Sequence, residues 1–306
     1  MSILDDVRTA CAQVTARARQ VHLERERLVP YARALPRAQI SDAPPPELPR
    51  NASGPAERAA FVLCLDAINF GSGWFPLLRK LPGHSGYRTL EARLGASFER
   101  CGAPRPEQLA QLEPEDCARL FGQVDAPREI RELMALYARA LRDLGRFVGD
   151  GWLAPIERAG GSAERLVEGL CAMPLYRDIA RYGALEVPVL KRAQITAHDL
   201  GAAGVGRFGD LDRLTLFADN LVPHVLRLDG VLRFDAGLVE RIDAETLLEP
   251  GSPEEVEIRA CALTAVESLA ADTGLPARWI DGWLWRRGAL PRYKARPRHR
   301  CRCAYY

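Results

Sequence analysis

Apolar residues recur every three or four positions along most of this chain, and that spacing commits it to helices. The clearest stretch sets Ile130, Leu133, Met134, Tyr137, Leu141, Leu144 and Phe147 on one stripe, the pattern of an amphipathic helix with one face in a core. Near the start, Ile3, Val7, Cys11, Val14 and Val21 keep helical spacing behind Ser2 and Asp5, which stand at capping-box distance. The segment AERAAFVLCLDAINF (56–70) is apolar almost all round and predicts a buried helix. Ser252, Pro253 and Glu255 open a further helix with Val256, Leu263, Val266 and Leu269 as its apolar face. PARWIDGWLWRRG (276–288) predicts the last one.

The punctuation fits the same picture. Residues 41–55 form a Pro-rich loop, because three consecutive prolines cannot be helical. Segment 103–115 reads as short helical turns, and Gly160 and Gly161 mark a turn before a helix near 162–172. EVPVL (186–190) is the one strand expected in the stretch that follows, and Pro223 is expected to disturb any helix around it. The expected fold class is mainly α with few short strands. It is laid out as a single domain over 1–306 with a Pro-rich loop at 41–55 and a basic tail at 286–306.

Composition removes several alternatives. A chain that is 47% hydrophobic with a formal net charge of +2 is not disordered. No apolar run reaches the roughly 18–20 residues that span a bilayer. The first residues carry two acids where a secretion signal carries basic residues, so a cytoplasmic chain with no membrane partner is expected. The eight cysteines are scattered without a C-x-x-C pair and read as free thiols of a reducing compartment. The five histidines, His22, His84, His198, His224 and His299, stand far apart. GAAGVGRFG lacks the order of a dinucleotide fingerprint, and neither a P-loop nor H-E-x-x-H is present. Acid–base chemistry by carboxylates is what remains.

Four clusters carry that possibility. In NFGSGWFP (69–76), Asn69, Phe70, Trp74 and Phe75 surround two glycines. This is either a core-capping turn or a flat wall for a heterocycle. Lys191 and Arg192 sit in an apolar context, as a structural ion pair or as an anion site. Asp219 is embedded in LFADNLV, as a helix cap or as a functional carboxylate. In RWIDGWLWRRG, Trp279, Trp283 and Trp285 lie around Asp281. One of Trp283 and Trp285 is expected in the core and the other at a pocket. Asp281 could take two hydrogen bonds from a guanine-like edge.

Taken in this order, the chain resembles the queuosine salvage protein family, the queuosine 5′-phosphate N-glycosylase/hydrolases. The carrying segments are LDAINFGSGWFP (65–76), YRDIARYGALEVPVLKRAQI (176–195), LTLFADNLVPHVLRLDGVL (214–232), GSPEEVEIRACALTAVE (251–267), IDGWLWRRG (280–288) and PRHRCRCAYY (297–306). The resemblance implies a helical fold similar to helix-hairpin-helix DNA glycosylases, with no metal or organic cofactor. It implies hydrolysis of queuosine 5′-monophosphate to release queuine, with no stable nucleic-acid partner. Asp219 would face the anomeric carbon, with Ala218 beside it, and Phe217 with Trp283 or Trp285 would sandwich the base. Asp281 would read the base edge, and Asn69 and Phe70 would form the other wall. Lys191 would meet the 5′-phosphate, ahead of Arg192, whose side chain would face elsewhere on a strand.

Two other readings stay open on sequence alone: a DNA or RNA base glycosylase, and a non-catalytic single-strand binder built on the tryptophans and the tail. The +2 is an average of unlike parts. Residues 286–306 hold eight cations and no acid, leaving 34 basic against 40 acidic residues elsewhere. A basic tail clasping an acidic body is the expected outcome.

Overall fold

The computed structural model describes residues 2–149 and 151–306. Among them are fifteen α-helices and four strands of three or four residues, paired as two separate antiparallel ribbons. The mainly helical expectation holds. No helix is long and apolar enough to cross a membrane. The expected strand at 186–190 is present as Leu185–Pro188, paired with Ile179–Tyr182. The other ribbon, Val21–Leu23 with Leu232–Phe234, was not foreseen. A three-residue strand shows too little alternation to stand out in a sequence.

The chain divides into two compact units. The first comprises the chain up to Ala43, Asp178–Lys191 and Asp212–Arg302; the second comprises Pro44–Arg177, Arg192–Leu211 and Cys303–Tyr306. The Pro-rich loop contains the first crossing, between Ala43 and Pro44.

The first unit is organised on the helix Pro253–Thr273. Ser252 caps it, its Oγ accepting from the Glu255 N–H at 3.4 Å. The return half of the box goes astray: Glu255 Oε2 accepts from the Gly251 N–H at 3.2 Å. The helices Ile3–Thr15, Val222–Leu228 and Ala277–Arg287 pack on it. Val256, Leu263, Val266 and Leu269 are buried as expected, and each such side chain contributes roughly 1.5–3 kcal/mol by leaving water. The helix is buried on its polar side too, for Glu255, Glu257 and Arg259 are all under 4% exposed. Buried charges persist only when matched, and these are. Arg259 holds Asp178 with two parallel bonds of 2.9 and 2.5 Å, and Glu255 lies 3.5 Å from the same guanidinium. Glu257 accepts from the Gln20 and Val21 N–H groups at 2.8 and 3.1 Å and from the Tyr182 hydroxyl at 2.7 Å.

The second unit is organised on Arg128–Val148 and on Pro55–Ala67, which is buried from Ala59 onward. The Tyr137 hydroxyl donates to the Phe70 carbonyl at 2.7 Å, and the Phe70 and Phe121 rings meet the Tyr137 ring edge-on. The following turn requires glycine: Gly71 has φ of 112°, and a Cβ there would lie 2.9 Å from the Tyr137 hydroxyl. The Gly71 N–H donates to the Tyr306 carbonyl at 3.0 Å, so the end of the basic tail is part of this unit.

Candidate active site

Leu214 to Ala218 run as a buried segment, and Asp219 is the first of these residues to reach partial exposure. The chain then enters the helix Val222–Leu228. Asp219 Oδ1 accepts from the Leu221 N–H at 2.7 Å and the Val222 N–H at 3.2 Å. Both bonds fall on one oxygen, and Oδ2 accepts none among the described residues. Leu221, not Asp219, is the N-cap, but Asp219 satisfies the N–H groups of Leu221 and of the first helical residue, Val222, with half of its carboxylate left over. Pro223 does not disturb the helix, contrary to expectation. It lies in the first turn, where its missing N–H has no intrahelical partner to lose.

Both neighbours of Asp219 are fixed. The Ala218 carbonyl accepts from Arg259 Nε at 3.0 Å, and the Asn220 amide donates to the His299 carbonyl at 3.2 Å. Asp178 completes the frame. Its Oδ2, already bonded to Arg259, also accepts from the Lys191 N–H at 3.2 Å, and its carbonyl takes the Val189 and Leu190 N–H groups. Leu190 is held at φ of 55°, a left-handed conformation that costs a β-carbon residue about 1–2 kcal/mol. Three sequence segments thus meet on one buried ion pair, Asp178–Arg259. Sequence reasoning quoted both residues but assigned neither a role. The available signal was charge inside the apolar run EVEIRACAL; the pairing itself spans 81 positions.

Ala277–Arg287 brings its aromatics to the helix packed on Val222–Leu228. Asp281 is 7% exposed. The core stripe is Ile280 and Leu284, so neither Trp283 nor Trp285 is core, which corrects the expectation. Trp283 is half-buried with the Arg287 guanidinium 4.5 Å from its ring centre, and Trp285 is 37% exposed. A 3.6-residue period that buries 280 and 284 leaves 283 and 285 on its flanks. Phe217 is buried at 5%.

Lys191 is buried and opens the helix Lys191–Ala202, so the pair at 191 and 192 lies on a helix and not on the expected strand. Arg192 belongs to the second unit. Its guanidinium stands 4.7 Å from the Phe70 ring centre and 4.6 Å from that of Tyr176. It donates to the Ala67 carbonyl at 2.5 Å and to the Leu175 carbonyl. Asn69 and Phe70 lie in the same unit; Asn69 donates to Asp66 at 3.5 Å and Phe70 is 2% exposed. Asp66 is a fully buried carboxylate that sequence reasoning did not single out. Of the residues expected at a site, Lys191, Phe217, Ala218, Asp219, Asp281, Trp283 and Trp285 are in the first unit, and Asn69, Phe70 and Arg192 are in the second.

No group of three or more His, Cys, Asp or Glu side chains among the described residues is placed to hold a metal ion. Cys11, Cys64, Cys101, Cys117 and Cys261 carry free thiols, as expected, and burial pushes the Cys11 thiol up to about 12.

A helical chain with a half-open carboxylate on backbone locked by a buried ion pair has what a carboxylate-dependent enzyme requires. A family model described as queuosine salvage protein matches residues 49–306, and the chain belongs to that family. A relative from Sphaerobacter thermophilus is 34% identical, over 98% of this chain and 97% of its own length. One from Schizosaccharomyces pombe is 32% identical over 66% of this chain and 62% of its own. One from Dictyostelium discoideum is 30% identical over 81% and 78%. All three are named queuosine 5′-phosphate N-glycosylase/hydrolase.

Proposed function

We propose that this chain hydrolyses the N-glycosidic bond of queuosine 5′-phosphate and releases queuine, with Asp219 as the catalytic carboxylate. The observation that carries the reading is the similarity along nearly the whole chain to a relative named for that activity. The site chemistry supports it. Cleavage of the C1′–N bond gives the ribose oxocarbenium character, which a carboxylate stabilises best when it is already in place. Asp219 is held by two N–H groups on one oxygen, and its other oxygen is left for the sugar. Queuine is a 7-deazaguanine with no N7 to protonate, so the electrostatic load on this carboxylate rises.

In this reading Phe217, Trp283 and Trp285 supply aromatic surface for the base, and Asp281 reads its guanine-like edge. Ala218 contributes backbone, and Lys191 meets the phosphate. Asn69, Phe70 and Arg192 are the second unit's candidates; Arg192 has the further task of holding the 67–70 backbone and the Phe70 ring. The family match over 49–306 takes in parts of both units, and the Sphaerobacter thermophilus relative aligns with 98% of the chain, which supports treating 1–306 as one functional domain. Helical content is the support for likeness to helix-hairpin-helix glycosylases. The free thiols of Cys11, Cys64, Cys101, Cys117 and Cys261 support a cytoplasmic location.

The test is incubation with queuosine 5′-phosphate and chromatography for free queuine. Release in proportion to enzyme is expected; release no faster than in an enzyme-free control would overturn the reading.

A further inference from the structure

The segment 297–301 is fastened to the first unit by one backbone carbonyl after another. Pro297 O accepts from Arg227 at 3.0 Å, His299 O from Asn220 at 3.2 Å, and Arg300 O from the Leu248 N–H at 2.8 Å. Cys301 bridges to Leu248. Arg298 lies in the middle of this clamp, half-buried. Its guanidinium makes no hydrogen bond and no ion pair among the described residues. Of the other tail arginines, Arg287 and Arg292 are matched with Asp229 and Arg300 with Glu245 at 3.0 Å, while Arg286, Arg296 and Arg302 make no ion pair among the described residues.

The charges around Arg298 narrow its role. Burial pushes its pKa down, and the acid that opposes this is Asp219. The two make no hydrogen bond or ion pair with each other, but their chain neighbours Asn220 and His299 are bonded at 3.2 Å, so both groups stand beside the same link. The neighbouring imidazoles do not compete as cations, for burial lowers His224 to about 4 and His299 to about 3. A desolvated guanidinium on rigid backbone, with no acid of its own, has stability to gain from an anion. In a 5′-nucleotide the anomeric carbon and the phosphate stand at opposite sides of one ribose. A carboxylate and a cation that are coupled but not bonded to each other suit those two positions.

We propose that Arg298 grips the 5′-phosphate of the substrate and thereby sets the preference for nucleotide over nucleoside. This rests on the proposed function, and the test separates the two. Queuine release from queuosine 5′-phosphate and from queuosine is measured for wild type, Arg298→Gln and Arg298→Lys. Binding of ribose 5-phosphate to each is measured by calorimetry, with a melting curve to verify folding.

The Gln variant is expected to lose about 10- to 100-fold of the phosphate-over-nucleoside ratio in kcat/KM, the worth of a charge-assisted bond. The Lys variant loses less, because it keeps the charge without the two-pronged fork, and it reads the same ratio if the Gln variant does not fold. Ribose 5-phosphate should bind wild type and not Arg298→Gln. Equal losses on both substrates would mean Arg298 serves only Asp219, and would overturn the proposal. So would ribose 5-phosphate binding that is absent in wild type or unchanged in the variant. Binding that depends on Arg298 in a protein that releases no queuine would retire the hydrolase reading and still support Arg298 as the phosphate residue.

Discussion

The helix Val222–Leu228 has an aspartate at each end, and the structure treats the two oppositely. Asp229, the C-cap, accepts from the Tyr31 hydroxyl at 2.7 Å, Arg287 at 2.8 Å, the Tyr293 hydroxyl at 2.8 Å, and Arg292. Its side chain is only 4% exposed. A negative charge at a helix C-terminus is unfavourable, and two guanidiniums and two hydroxyls offset it. Asp219 has two N–H donors on one oxygen and, among the described residues, no bond on the other. A saturated carboxylate holds structure together and has nothing left for a substrate. A half-satisfied one on immobile backbone has an oxygen to offer.

The largest effect should come from Asp219→Asn. Queuine release should fall by about 100- to 1,000-fold or more, the scale of losing one preorganised charge, with the melting temperature almost unmoved. Near-normal turnover would erase the distinction between the two ends. Asp229→Asn should do the reverse. Removing one member of a buried charged cluster costs about 3–5 kcal/mol. Denaturant midpoints should register that loss, while kcat of the protein still folded stays within a few-fold of wild type.

His224 lies between the two aspartates and gives the comparison a pH axis. Burial lowers it from 6.5 to about 4, and His299 to about 3. The unfolded chain takes up protons that the folded chain refuses, so stability is full above about 6.5 and falls as pH drops toward 4. A series of urea midpoints should show this slope, and His224→Gln should flatten it; an unchanged slope would mean His224 titrates normally. The smallest effect is expected at Trp285, which is 37% exposed. Trp285→Ala should leave stability within about 0.5 kcal/mol. If it stacks on the base, KM should rise by roughly five- to tenfold, from a contact worth about 1 kcal/mol at an exposed ring.

What could be read from the sequence was local. Ser2 and Ser252 cap helices where expected because cap and first turn are neighbours along the chain. The stripe from Ile130 to Leu144 is buried because its period is internal to one helix. Asp219 was legible as an acid in apolar surroundings. The frame behind it was not: Asp178 with Arg259, and Tyr31 and Tyr293 with Asp229, join residues from 64 to 198 positions apart. No local period records such pairs. EVPVL ahead of Lys191 and Arg192 points to a strand, but the strand ends at Pro188 and Leu190 turns the chain into a helix.

The helix Ile3–Thr15 is made early and is needed late. Its buried face, Leu4, Val7, Cys11 and Val14, belongs against Pro253–Thr273. At about 5–20 residues per second of synthesis, that partner emerges roughly 10–50 s afterwards. Through that interval an apolar stripe stands unpaired near the front of a nascent chain. Helper proteins that shield such stripes would find their target there, and the rate at which active enzyme accumulates would be set by this wait more than by the speed of any single helix.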